Sequence, residues 1–246
     1  MLEQNKIYHG DSFELDSKID DKSIDLILED MPYNTTACKW DVKIDLKQYW
    51  KSRLRIIKDN GAIVLTASQP FTSTLVMSNL KMFKCEWVWR KEQGQNIFHA
   101  DKLPLKIHEN LLIFYKNKIT YNPQMIKSKP FKRNGLPEKA GIYGKRKKTI
   151  QPYLAIEKFP ITIIELNTER GLHPTQKPVK LFEYLIRTYT NENDLVFDGF
   201  AGSGTTGVAA TNCNRNFICI EKERKYFEIA EKRIKNAQAQ LMLELH

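Results

Sequence analysis

Apolar residues fall along this chain in two recurring patterns. Short runs bounded by turn residues predict strands over Ile24–Glu29, Gly61–Ala67, Phe83–Trp89, Glu109–Tyr115, Leu195–Asp198 and Asn216–Glu221. Between several of them, apolar positions at helical spacing predict helices over Leu46–Lys58, Pro70–Leu80, Pro178–Thr190, Thr205–Asn212 and Glu223–Leu243. In the last of these, Phe227, Ala230, Ile234 and Ala237 form a packing stripe. Strands alternating with helices of this length argue for a mostly parallel α/β sheet. Such sheets bind ligands outside the carboxyl ends of their strands, so the residues just after each strand are the informative ones.

The pattern lapses between Lys116 and Lys148. That stretch holds eleven Lys/Arg and one acid, Glu138, against a whole-chain balance of 39 Lys+Arg and 29 Asp+Glu over 246 residues. Its net charge of +10 equals that of the entire chain, so the remainder sums to zero. With Pro123, Pro130, Pro137, Gly135, Gly141 and Gly144, it reads as a loop-rich basic insertion. A solvated surface loop and a contact with a polyanion both fit, and nucleic acid is the commonest polyanion. The densest cations are Lys132, Arg133, Lys145, Arg146, Lys147 and Lys148.

Composition narrows the rest. Hydrophobic content of 41% and aromatic content of 11% exclude wholesale disorder. Mean hydropathy is −0.49, and no apolar run approaches the ~18–20 residues a membrane span needs. The first residues lack a signal peptide's apolar stretch, which points to the cytoplasm. Cys38, Cys85, Cys213 and Cys219 show neither C-x-x-C spacing nor a His at ligand spacing, so scattered reduced thiols and no metal site are expected.

Two strand ends carry chemistry. After Leu195–Asp198 comes Gly-Phe200-Ala-Gly202-Ser203-Gly204-Thr205, a small-residue turn opening a helix. Such a turn lets backbone approach a ligand, and the helix start adds unpaired N–H groups. The next strand ends in Glu221, placed to accept from ribose hydroxyls. Gly202-x-Gly204-x-x-Gly207 also fits a dinucleotide fingerprint, but the 39 residues after Gly207 are too few for a complete dinucleotide half. The other strand end is Asp30-Met31-Pro32-Tyr33, where proline holds the chain extended and sets acceptors beside an aromatic plane. Acceptors under a flat ring suit the exocyclic amine of a base.

Asp30-Met-Pro-Tyr33, His173-Pro-Thr-Gln-Lys-Pro178 and Phe200-Ala-Gly-Ser-Gly204 together resemble the motifs of the β-class amino-methylating DNA methyltransferases, closest to the prophage and restriction–modification type. The resemblance runs from Gly10-Asp11 to about Phe227, apart from the middle stretch. It implies an α/β class I methyltransferase (Rossmann-like) fold, mostly parallel with helices on both faces. The motif order is circularly permuted, with D-P-P-Y before F-x-G-x-G and target recognition between them. Residues 1–115 would be the catalytic half, 116–165 the recognition insertion and 166–246 the cofactor half.

The implied cofactor is S-adenosylmethionine, and the implied substrate is the N6 amine of adenine in double-stranded DNA. Asp30 and the Met31 carbonyl would hold the target amine, and Tyr33 would stack on the base. Asp198, Phe200, Gly202 and Gly204 would cradle the methionine part, with Ser203 and Thr205 beside them. Glu221 would take the ribose and Asp11 the adenine, while His173, Thr175 and Lys177 open the helix beside the cofactor. Trp40, in the segment after the catalytic motif, would wedge into the base stack or simply pack. The family usually has Pro where this chain has Met31, but a carbonyl's role tolerates the change. Asp at position 30 is the adenine-type choice, whereas cytosine-N4 relatives usually have Ser. Cytosine N4 or an RNA base is the alternative substrate. Carbon-5 methylation is disfavoured because no Cys follows a Pro. A homodimer and a cognate restriction endonuclease stay open as partners, and no membrane contact is expected.

Overall fold

In a computed structural model, described here over residues 2–33, 43–95, 97–133, 153–169, 171 and 176–244, ten strands occur. They are β1 (Lys6–His9), β2 (Ile24–Glu29), β3 (Ile57–Ala67), β4 (Phe83–Gln95), β5 (Lys106–Phe114), β6 (Ile126–Arg133), β7 (Tyr153–Lys158), β8 (Ile163–Glu165), β9 (Leu195–Asp198) and β10 (Asn216–Glu221). Eight form one sheet in the order β1-β10-β9-β2-β3-β5-β4-β8, while β6 and β7 pair alone. The helices are α1 (Ser12–Leu15), α2 (Leu46–Ile56), α3 (Phe71–Ser78), α4 (Val179–Tyr189), α5 (Thr205–Asn212) and α6 (Arg224–Glu244). The chain divides into two compact units: Met1–Asn122 with Thr162–His246, and Pro123–Ile161.

The central strands are apolar on both sides because both faces of the sheet are covered. Leu26 and Leu28 of β2 pack into a core with Leu181, Leu185, Ala209 and Ile234 from α4, α5 and α6. Ile24 and Ile27 face the other way, into a core with Tyr49, Trp50 and Leu75 of α2 and α3. The same alternation sends Val196 to the first core and Phe197 to the second. Parallel strands buried on both faces read as continuous apolar runs, so the apolar pattern marks these strands most sharply.

Strands β1, β10, β9, β2 and β3 are parallel, and β5 runs antiparallel between β3 and β4. Strands β2 and β9 are neighbours, with Leu26 opposite Val196. From β9 the chain crosses outward through α5 to β10, and from β2 it crosses through α2 to β3 on the other side. The order therefore reverses between β9 and β2, and the loops after these strands flank a switch-point crevice.

Differences from the predicted elements are local. The helix expected to reach Lys58 ends at Ile56, because Ile57 already pairs with Ile24 of β2. The hairpin of β4 and β5 runs further than its apolar residues, since Gln95 still pairs with Lys106. Strand β1 has exposed ends and only two half-buried positions, so it carries little apolar signal.

In the smaller unit, where loop is expected, β6 and β7 form an antiparallel ribbon with Phe131 opposite Ala155. Arg133 stacks over the Phe131, Tyr153 and Phe159 rings at 5.5, 5.8 and 4.7 Å. The compact unit spans 123–161, narrower than the 116–165 expected. On the main unit's side, Asn122 Nδ2 donates to the Thr190 carbonyl at 3.0 Å just past α4, and the Thr162 carbonyl accepts from Val88 of β4 at 2.7 Å. Among the described residues, no helix is long and apolar enough to cross a membrane.

Candidate active site

A cavity of about 460 Å³ opens at the carboxyl ends of β9, β10 and β2. Its wall includes Asp11, Phe13, Asp30, Asp198, Phe200 and Glu221, so sequence-distant positions converge there.

The catalytic tetrapeptide follows β2 directly, and Met31, only 1% exposed, anchors it in the core. Asp30 projects into a set of partners that fixes both carboxylate oxygens. Oδ1 accepts from the Tyr33 hydroxyl at 2.7 Å and from the Thr66 hydroxyl, while Oδ2 pairs with Lys177 Nζ at 2.5 Å. A carboxylate offers about four acceptor sites, and three are taken, which leaves one on Oδ2. Burial pushes the Tyr33 hydroxyl well above its usual value, with Asp30 and Glu109 adding to the rise. It therefore stays a neutral donor. The Tyr33 ring lies 5.3 Å from that of Phe71, tilted by 31°.

Lys177 lines the cavity, but its ammonium is turned to Asp30 and lies 3.4 Å from Glu109 Oε2. This refines the expectation that it serves the cofactor. Burial works against its charge, yet Asp30 and Glu109 outweigh that and hold Lys177 above the ordinary lysine value. Glu109 is itself pushed up by burial and pulled below the usual range by Lys177 and Lys91. Lys91 closes the chain, 2.5 Å from Glu109 Oε1.

The glycine loop is shaped by the residues behind it. Arg53 is fully buried and binds Glu29, Asp16 and Ser12 at 2.7–2.9 Å, with the rings of Phe13, Tyr49, Phe197 and Phe200 around its guanidinium. Glu29 also accepts from Tyr49 and from the Gly199 N–H. A Cβ at Gly199 would stand 2.1 Å from Ser12 Oγ and 2.4 Å from Arg53 Nη2, so only glycine fits. Gly202 and Gly204 have φ of +53° and +81°, a region that favours glycine. Ser203 and Thr205 are buried ties: Ser203 accepts from Arg233, and Thr205 donates to the Lys177 carbonyl.

Three more acids of the cavity wall, Asp198, Glu221 and Asp11, are each held by main-chain N–H groups. Asp198 accepts from the Phe200 N–H at 2.9 Å and from Thr206, and burial, reinforced by Glu29, pushes its carboxyl up to about 8. Glu221 accepts one main-chain N–H on each oxygen, from Gly202 and Glu223, both at 2.7 Å. Burial raises it too. Asp11 caps α1 through the Phe13 N–H and pairs with Lys222 at 3.0 Å. The Phe13 and Phe200 rings meet edge to face at 6.3 Å.

This donor set suits a ligand bearing a cation, a diol and a flat ring. Each Glu221 oxygen keeps a lone pair for a hydroxyl, and a buried acid raised by desolvation favours a cationic partner. S-adenosylmethionine has all three parts.

Sequence reasoning missed Thr66, Glu29, Arg53, Glu109 and Lys91. Arg53 and Thr66 left a trace, being polar residues inside the apolar patterns of α2 and β3. Trp40, Lys145, Arg146, Lys147, Lys148, His173 and Thr175 lie outside the described residues. Lys132 is exposed on β6, whereas Arg133 is half-buried beneath its aromatic neighbours.

Comparisons with known proteins agree with this geometry. A family model described as DNA methylase, N6_N4_Mtase, matches residues 24–232. DNA adenine methyltransferase YhdJ of Escherichia coli K12 is 30% identical over 94% of the chain and 83% of its own length. A crystal structure of the M1.HpyAVI–SAM complex superposes with a TM-score of 0.65 at 27% identity, covering 93% of this chain and 98% of that one. The cytosine-N4-specific PvuII DNA methyltransferase shares the fold, with a TM-score of 0.65 at 17% identity over 99% of this chain and 94% of its own.

Proposed function

This chain belongs to the N6_N4_Mtase family of DNA methylases, and from that premise we propose that it methylates the exocyclic N6 amine of adenine in double-stranded DNA. Its cofactor, S-adenosylmethionine, supplies an electrophilic methyl group on a positively charged sulfur. The observation that carries the adenine reading is Asp30, which keeps one open acceptor site on Oδ2 beside the cavity. The likeness to YhdJ, named an adenine methyltransferase, supports it.

Adenine's amine is a poor nucleophile because its lone pair is delocalised into the ring. Asp30 Oδ2 and the Met31 carbonyl accept its two N–H bonds and favour a pyramidal nitrogen with a freer lone pair. Tyr33, tethered through its hydroxyl to Asp30, offers a ring face for stacking. Asp198 and Phe200 take the cofactor's methionine end, Asp198 its ammonium, while Glu221 takes its ribose and Asp11 its adenine. The target base leaves the duplex to reach this site, at a cost of ~a few kcal/mol. The unit spanning 123–161, with exposed Lys127, Lys129 and Lys132, contacts the DNA backbone.

Long-read sequencing of DNA from cells expressing the chain tests this reading. Methyl-adenine at a fixed sequence context is the expected result. Methyl-cytosine alone, or unmodified DNA, would refute it.

A further inference from the structure

From Asp30 a row of charges that alternates in sign runs along the cavity wall through Lys177 and Glu109 and leaves it at Lys91. Asp30 pairs with Lys177, Lys177 faces Glu109, and Glu109 binds Lys91. The four residues come from β2's end, the segment before α4, β5 and β4, so packing of the sheet brings them together. Lys177 and Lys91 each keep only 5% side-chain exposure and Glu109 keeps 15%. A buried ammonium between two carboxylates is held by both. Among the described residues, Glu109 Oε2 has no other partner within hydrogen-bonding geometry, so Lys177 is its only counter-charge on that oxygen. Lys91 is anchored independently, by Gln95 Oε1 at 3.0 Å and over the Trp89 ring at 4.9 Å.

We propose that Glu109 is a positioning residue for methyl transfer: its carboxylate holds the Lys177 ammonium against Asp30 Oδ2, and so aims the one acceptor site that Asp30 keeps for the target amine. This rests on the adenine-N6 reading above. Although Glu109 reaches the cavity wall, its role in this reading is exerted through Lys177 and not on the reacting atoms. Lys91 competes for the same carboxylate and moderates the effect.

The arrangement gives a sign that ordinary destabilisation does not. Among the described residues, the titratable groups around Lys177 include Asp30, Glu109, the Tyr33 hydroxyl behind Asp30, and Lys91 and Lys106 beyond Glu109. Losing the Glu109 charge removes one of the two attractions that oppose burial, so Lys177 deprotonates at lower pH. Losing the Lys91 charge frees Glu109 for Lys177, so Lys177 keeps its proton longer. Both changes disturb the same buried cluster and lower the melting temperature.

Single-turnover methylation of an adenine-containing duplex, measured across alkaline pH, reads this directly. With Glu109→Gln, the alkaline limb should move down by about one pH unit or more, the size of effect an adjacent opposite charge exerts. Glu109→Asp should restore part of the shift, and Lys91→Met should leave the limb where it is or raise it. A Glu109→Gln profile that falls at every pH without moving, or a Lys91→Met limb moving down as well, overturns the proposal. The side-chain resonance of Lys177 in the unaltered protein, assigned by its loss in Lys177→Met, needs no foldable Glu109 variant. It should titrate above free lysine, and titration at or below that value also overturns the proposal. An unaltered protein that methylates no adenine would instead sink the functional reading, even with the Lys177 titration as expected.

Discussion

Replacing Asp30 by Asn removes one charge and almost no volume, and the surrounding side chains dictate how the site responds. The amide has one oxygen where the carboxylate had two. Lys177 Nζ, 2.5 Å from Oδ2, can only donate, so the amide must turn its oxygen that way. Its NH₂ then faces the Tyr33 and Thr66 hydroxyls, which rotate to accept. The target amine still meets an acceptor, now neutral and shared with an ammonium. Charge-assisted hydrogen bonds contribute about 1.5–3 kcal/mol against about 0.5–1.5 for neutral ones. Losing a preorganised group where charge develops in the transition state costs on the order of 10²–10³ in rate, or about 2.7–4 kcal/mol. Single-turnover methylation of an adenine-containing duplex should therefore slow by that factor. Cofactor affinity should change little, because burial and Glu29, ahead of Asp30, hold up the Asp198 carboxyl. Calorimetry with S-adenosylmethionine measures the second quantity. A methylation rate within about tenfold of the parent would show that the charge of Asp30 is not used.

Three further outcomes are expected. Gly199→Ala pushes a methyl into Ser12 and Arg53; overpacking of about 1–3 kcal/mol should lower the melting temperature by about 2–4 °C per kcal/mol, and an unchanged thermal scan would contradict the close approach. Asp198, raised to about 8 from 3.8, stabilises the fold fully below about pH 3.8, and that contribution fades as pH rises through about 8. A cationic ligand reverses the preference, so cofactor affinity should improve as pH rises toward 8, and more so in the parent than in Asp198→Asn. Equal pH slopes in the two would remove Asp198 from the ammonium site. Converting Lys127, Lys129 and Lys132 to Glu should flatten the salt dependence of DNA binding by roughly 0.9 log units for each phosphate the ribbon ceases to neutralise. An identical slope would mean these lysines only solvate the ribbon.

Much of the fold is legible in the sequence because the central strands are apolar on both faces, and that signal is strong. The cavity acids are legible for a different reason: Asp30, Asp198 and Glu221 each end a strand whose limits the apolar run marks. The residues that escape are set by pairing across the sheet. Thr66 acts because β3 lies beside β2, and Glu109 because β5 lies beside β3. No spacing along the chain encodes those neighbours. Arg53 is the instructive failure, since a charged residue on an apolar helical stripe reads as a breach of the pattern. It is instead the centre of a buried polar cluster. The β6–β7 ribbon escapes because β6 alternates lysines with few apolar residues and contains Pro130, leaving the short apolar run of β7 without a visible partner.

The seam around the smaller unit bears on how such a protein can change its target. The chain leaves the larger unit at Asn122, whose amide is bonded to the carbonyl of Thr190, and re-enters at Thr162, whose carbonyl is bonded to Val88. Among the described residues, both splice points are thus bonded within the larger unit. A cassette exchanged between these points replaces the exposed lysines and the Arg133 aromatic cluster together, whereas the partners described above for Asp30, Asp198 and Glu221 all lie in the larger unit. If the smaller unit reads the target, as proposed above, exchange at this seam would alter specificity without rebuilding the chemistry.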